Sequence, residues 1–600
     1  MLRFLVIGFL SLVGVNLLAA GDWRLNTNSY LTHWALDVSP EQAHAEYPRP
    51  TMTRPDWLNL NGIWEVGFSR TTNCPGFTNH ILVPFPVESV LSGVRHMVNE
   101  LEQVWYRRTF MVPAAWQGRQ VLLHFEASDW ETEVWLNGKD LGTHRGGYDR
   151  FSFDITSALK PGSEQELIVR VNNPIDAGGQ PRGKQMLHPR LPYLHAASGI
   201  WQTVWLEPVA LTSVESFRLV PDLDAGALHV EINGRGDTND VIAEAVAYAD
   251  GKEISRAQGQ IGKSFSLPVP HAHTWSPDDP FLYDLKIALL QKGKKVDEVS
   301  GYFGMRKISV SKGADGYPRL YLNNRPGFEM GVLDQGYWPD GIYTAPNDEA
   351  LRSDIELIKR LGFNMCRKHV KIESERWYYW CDKLGLLVWQ DMPSGGTSAL
   401  PKDREITRTP ESAQQFEAEL QRMIVDRGNQ PSIVMWILFN QGWGQYDTVR
   451  LTKTVKELDP SRLVMDVSGW NDFGVGDVRS SHKYPGPASP EHDGRRAWVM
   501  GECGGLGLDI PGHTWGIMTS WNTTLFDSPK ELTAGYESLL ERIAEQKQKT
   551  GLAAAVITEL TDAETEDDGL TTYDRDVVKI PTEQVKAANE KVLTKSTRLE

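Results

Sequence analysis

The chain has 600 residues, too many for one hydrophobic core, so several domains are expected. Its 78 acidic against 62 basic residues give a formal charge of -16, which argues against a nucleic-acid partner, because polyanion binders need clustered Lys and Arg to displace counterions. Tryptophan is frequent, at 21 residues, and its flat faces stack on sugar rings, a weak compositional pointer to a glycan ligand.

In chain order, residues 1–20 show a basic start, an apolar run from Phe4 to Leu18 and a small-residue end at Ala19-Ala20, the pattern of a cleaved signal for export to the periplasm or medium. The run is shorter than the roughly 20 residues that span a bilayer, so no membrane anchoring is expected after cleavage. Residues 21–210 alternate apolar and polar positions, with turn signals at Asn137-Gly138 and Pro161-Gly162, and read as a β-sandwich. Residues 211–308 give a second strand series, read as a smaller immunoglobulin-like β-sandwich. The four cysteines, Cys74, Cys366, Cys381 and Cys503, lie too far apart for a zinc motif and read as buried free thiols.

From 309 to 600 apolar strand-like runs alternate with amphipathic stretches. Eight candidate strands lie near 327–332, 363–368, 386–391, 433–440, 463–467, 478–482, 498–502 and 554–559, the size of a (β/α)8 barrel. Asn347-Asp348-Glu349 predicts a capped helix start, with Leu351, Ile355, Ile358 and Leu361 at helical spacing. The polar stretch after Arg575 reads as a terminal helix or tail.

A barrel of this type builds its site at the carboxyl ends of its strands, so polar residues closing apolar runs are the candidates. They are Glu329 and Asp334, Arg367 and His369, Asp391, Asn440 and Gln441 with Trp443 just beyond, His482 and Tyr484, Glu502, and Glu559. Glu502 ends the run Trp498-Val499-Met500-Gly501 and is placed to attack an anomeric carbon. The competing reading is a structural salt bridge to Arg367. Arg367 is also a faint hint of a carboxylate-bearing sugar. No pattern signals a metal, nucleotide or prosthetic group.

These strings resemble glycoside hydrolase family 2, which includes β-galactosidases, β-glucuronidases and β-mannosidases. The likeness runs through Leu58-Asn59-Leu60-Asn61-Gly62-Ile63-Trp64, Val104-Trp105-Tyr106-Arg107-Arg108, Val134-Trp135-Leu136-Asn137-Gly138, Gly199-Ile200-Trp201 and Phe303-Gly304-Met305-Arg306 to Gly362-Phe363-Asn364-Met365-Cys366-Arg367-Lys368-His369, His482-Lys483-Tyr484 and Gly501-Glu502-Cys503-Gly504-Gly505. The resemblance implies a jelly-roll sugar-binding sandwich, an immunoglobulin-like domain and a catalytic TIM barrel. It also implies Glu502 as nucleophile, Arg367 and His369 as positioning groups, Tyr484 near the nucleophile, Asn440 as partner of the sugar 2-hydroxyl, and a β-glycoside substrate.

The chain departs from the family at one place. Where the family's motif reads Asn-Glu, this sequence reads Asn440-Gln441, and an amide cannot act as a general acid. Four readings stay open: a disabled variant of an active hydrolase, an enzyme for good leaving groups, an enzyme borrowing an acid from Glu329, Asp391, His482 or Glu559, and a non-catalytic glycan-binding protein. An exported adhesive protein is a further class, whose mark would be a closed barrel mouth.

Overall fold

The computed structural model describes residues 23–396, 404–489, 492–516 and 524–594. The signal-like segment 1–20 lies outside the described residues. No described helix is long and apolar enough to cross a membrane.

The first domain is a sandwich of two antiparallel sheets. Six strands, centred on Gln103–Phe110, Gln165–Asn172 and Glu131–Leu136, face four strands that include Gln120–Phe125 and Val204–Val209. Alternation explains the layer: along Gln165–Asn172 every second side chain is buried, and Val169 lies between Tyr106 and Val134 in one cross-strand row. Asn137 and Gly138 both take positive φ, the requirement of the tight hairpin that their sequence predicts. The immunoglobulin-like domain packs a three-stranded sheet beginning at Ser213 against a four-stranded one ending at Phe303.

Arg306, just after that domain, is fully buried and donates to the carbonyls of Pro431, Ile433 and Ser461. A guanidinium buried against three carbonyls fixes the domain to the foot of the barrel. This gives the Phe-Gly-Met-Arg string a structural reason.

Eight parallel strands close the barrel: β1 Glu329–Asp334, β2 Met365–Lys368, β3 Leu387–Asp391, β4 Ile433–Asn440, β5 Leu463–Ser468, β6 Val478–Lys483, β7 Ala497–Gly504 and β8 Leu552–Thr558. Helices α1 Asp348–Arg360, α2 Glu375–Leu384, α3 Pro410–Arg427, α4 Thr448–Leu458, α5 Pro529–Thr550 and α6 Thr582–Thr594 pack outside. The Asn347 side chain caps α1 by accepting from Ala350 N at 2.9 Å, and Leu351, Ile355 and Ile358 face the strands. The stretch after Arg575 contains α6.

Eight complete β/α units do not form. No helix occurs among the described residues between β5 and β6 or between β6 and β7. The first link carries Gly469, Asn471, Asp472, Gly474 and Gly476, turn formers that oppose a helix. The free-thiol reading also needs one change: Cys366, Cys381 and Cys503 are buried, but Cys74 is exposed.

Candidate active site

The site is a cleft at the carboxyl ends of the strands. Its lining includes His369, Asn440, Gln441, Trp443, Tyr484, Glu502 and Glu559 from the barrel, and Lys184, Leu191 and Pro192 from the sandwich. The mouth is therefore open, unlike the closed mouth of an adhesive protein.

Glu502 is aimed into this cleft by an irregularity in β7. Opposite β6 the register slips, so that Ser481 faces Met500 while His482 faces Glu502, leaving Gly501 as the extra residue. Such a bulge re-aims the next side chain. A Cβ on Gly501 would meet Ser468 Oγ and Ser480 Oγ, each at 2.3 Å, so only glycine fits.

Arg367 on β2 holds the carboxylate from behind. Nη1 donates to Glu502 Oε1 at 2.9 Å and to the Gly501 carbonyl, Nε and Nη2 grip both oxygens of Asp391, and Nη2 also reaches Asn440 Oδ1 at 2.8 Å. The Tyr484 hydroxyl donates to Glu502 Oε2 through a short hydrogen bond. Burial opposes ionisation of Glu502, but its interactions with His482, Arg367 and His369 outweigh it and hold the carboxyl well below its ordinary range. Burial works the same way on Asp391, and Arg367 and His369 again win. Burial lowers the His369 imidazole, whose Nδ1 lies 3.3 Å from Asp391 Oδ2 without hydrogen-bond alignment.

Gln441 follows β4 in the left-handed region, at φ 51°, with its backbone N–H tied to the Ser468 carbonyl. Its amide nitrogen lies 2.9 Å from His482 Nδ1 and 3.3 Å from Glu502 Oε2. Position 441 therefore lies directly against the Glu502 carboxylate. His482 Nδ1 is itself 3.2 Å from Glu502 Oε2, and its Nε2 meets Ser468 Oγ at 2.8 Å.

Not every candidate reaches the cleft. Glu329 begins β1, at the end of the barrel away from the mouth, where it accepts from the Trp389 indole and burial pushes its carboxyl up to about 7. It is thereby removed from the substrate-binding set and from the possible acids. Arg367 and Asp391 are fully buried behind Glu502 and do not line the cleft; with every N–H of Arg367 engaged, the hint of a sugar carboxylate at Arg367 lapses. Asp334 pairs with Lys368 at 2.6 Å. His482 is likewise covered by Gln441 and Ser468.

Sequence reasoning missed Lys184, Gln335, Glu566 and Asp568. The Glu566-Asp567-Asp568 run just past β8 was a legible signal, being a polar strand-end loop. Lys184 had none, since it arrives from another domain. Its ammonium meets both Glu566 oxygens, at 2.9 and 2.8 Å.

A second cleft of about 400 Å³ opens where the three domains meet, and several of its arginines are already paired, Arg49 with Glu207, Arg54 with Asp297 and Arg462 with Asp459.

Three family models match in register with these domains: the family 2 galactose-binding-like domain over 93–199, the family 2 central domain over 212–306, and the family 2 TIM barrel domain over 338–489. The chain belongs to glycosyl hydrolase family 2. Among family 2 relatives, a β-galactosidase of Thermoanaerobacter pseudethanolicus is 27% identical over 62% of this chain and 50% of its own length. A β-glucuronidase of Paenibacillus borealis is 25% identical over 70% of this chain and 74% of its own. The chain spans about half the length of the first curated relatives it matches. The crystal structure of Ruminococcus gnavus β-glucuronidase superposes with a TM-score of 0.73 at 18% identity, over 92% of this chain and all of that one, which establishes the shared family 2 fold.

Proposed function

We propose that this chain is an exported β-glycosidase of the retaining type, in which Glu502 attacks the anomeric carbon of a bound β-glycoside. The observation that carries this reading is the ionised carboxylate at the floor of an open cleft, held by Arg367 and Tyr484 and faced by the residue at position 441. In the first step a bond forms between a Glu502 oxygen and the anomeric carbon while the bond to the aglycone oxygen breaks. In the second, a water oxygen bonds to that carbon as the bond to Glu502 breaks, and the proton the water loses passes to solvent, which protonates the departed aglycone oxygen.

The amide at Gln441 neither gives the departing oxygen a proton nor takes one from water. Turnover is therefore slow for alkyl aglycones and faster for phenolates, which leave without protonation. Asn440, its oxygen occupied by Arg367, keeps its NH2 group for a sugar hydroxyl.

The test is incubation with 2-deoxy-2-fluoro glycosyl fluorides followed by intact-mass measurement, with a glycosyl adduct expected on Glu502. Absence of an adduct across several sugars would overturn the nucleophile assignment. It would favour the second reading, a glycan-binding protein without turnover, which draws support from the Gln441 amide already bonded to Glu502. Export through residues 1–20 is tested by amino-terminal sequencing of the mature protein.

A further inference from the structure

Resting on the glycone site just proposed, we infer that this cleft selects a sugar without a carboxylate, one that offers only hydroxyl or ammonium donors to the wall formed by Glu559, Glu566 and Asp568. Four carboxylates line the cleft, those three and Glu502, against one ammonium, Lys184. That ammonium is already paired with Glu566, whose two oxygens it contacts. Arg367 is wholly enclosed by Asp391, Glu502, Asn440 and the Gly501 carbonyl. Among the described lining residues the remaining basic group is His369, whose imidazole burial holds toward its neutral form, so a uronate would meet no unpaired cation.

The wall also has a vacant acceptor. Gln335 turns its amide NH2 to Glu559 and Glu566, leaving its own Oε1 buried without a partner. Unpartnered buried acceptors call for donors, which sugar hydroxyls supply and a carboxylate does not. The carboxylates crowd one another. Burial, Glu566 and Asp568 lift Glu559 well above its ordinary range, and burial and Glu566 push Asp568 up to about 6. With Glu559 protonated, Glu502, Glu566 and Asp568 still outnumber Lys184.

A matched pair of ligands isolates the effect: isofagomine and its 6-carboxylate, uronic isofagomine, differ only in the group at issue. Calorimetric titration of the full chain at pH 7 is expected to give at least about tenfold tighter binding of isofagomine. The Glu566→Gln/Asp568→Asn double variant, near-isosteric and less negative, should narrow that ratio by about fivefold or more. Equal or tighter binding of uronic isofagomine to the unaltered chain overturns the inference, and so does binding of neither compound in the millimolar range. Because binding is read without hydrolysis, an unreactive Glu502 would sink the catalytic proposal and leave this one standing.

Discussion

Arg367 and Glu502 meet through Nη1 and Oε1 at 2.9 Å, and the same guanidinium closes on Asp391 and Asn440. The salt bridge and the proposed nucleophile are thus one arrangement: the pairing favours the ionised form of Glu502, and its other oxygen accepts from Tyr484 and Gln441, which line the cleft. Replacing Arg367 by Met strands two buried carboxylates, a loss of about 4 kcal/mol by the usual cost of breaking a buried pair. Guanidinium denaturation of Arg367→Met should show a lower midpoint. Asp391→Asn in the same background should recover part of the loss, which a purely steric effect of Met would not allow.

Gln441→Glu restores a carboxyl group 3.3 Å from the carboxylate of Glu502. Like charge at that distance raises the new carboxyl, so it keeps its proton toward neutral pH. Hydrolysis of alkyl β-glycosides should rise about 10²–10⁴-fold, and aryl substrates with good leaving groups should gain less. The acid must carry its proton to act, so the rate of the variant should fall as pH rises through the raised pKa. An unchanged rate would place the missing acid elsewhere.

The barrel was legible where a strand is an unbroken apolar run closing on a polar residue, as in β4 and β7. Chain-local pattern has two blind spots here. It does not say which end of a short run a polar residue occupies, and Glu329 opens β1 instead of closing it. It also carries no sign of a lysine brought in from another domain, as Lys184 is brought to Glu566. The missing helix after β5 could have been read from the glycines and aspartates at 469–477.

Glu329 supplies a prediction on pH and stability. Its carboxyl is pushed up to about 7 by burial, against an ordinary 4.5. Between those values the folded state holds a proton that the unfolded state has released, so stability falls as pH rises through this window and then levels off. The difference is worth about 3 kcal/mol at pH 8. A Glu329→Gln variant, which still offers an acceptor to the Trp389 indole, should be more stable than the parent at pH 8 and indistinguishable at pH 4. Equal stabilities at both pH values would show that Glu329 is ionised in the fold.

Trp470 is about half exposed, at 48%, and its ring centre lies 6.1 Å from that of His482, which touches both Gln441 and Glu502. It follows β5, between β4, which leads into Gln441, and β6, which carries His482. If the proposed glycosidase reading holds, an exposed indole there is a stacking platform for a second sugar ring. Trp470→Ala should raise KM for disaccharides about tenfold, by the loss of one stacking contact. KM for a glycosyl fluoride, which has no second ring, should hardly change. If both substrates weaken equally, Trp470 shapes the cleft through His482 and is not itself a sugar contact.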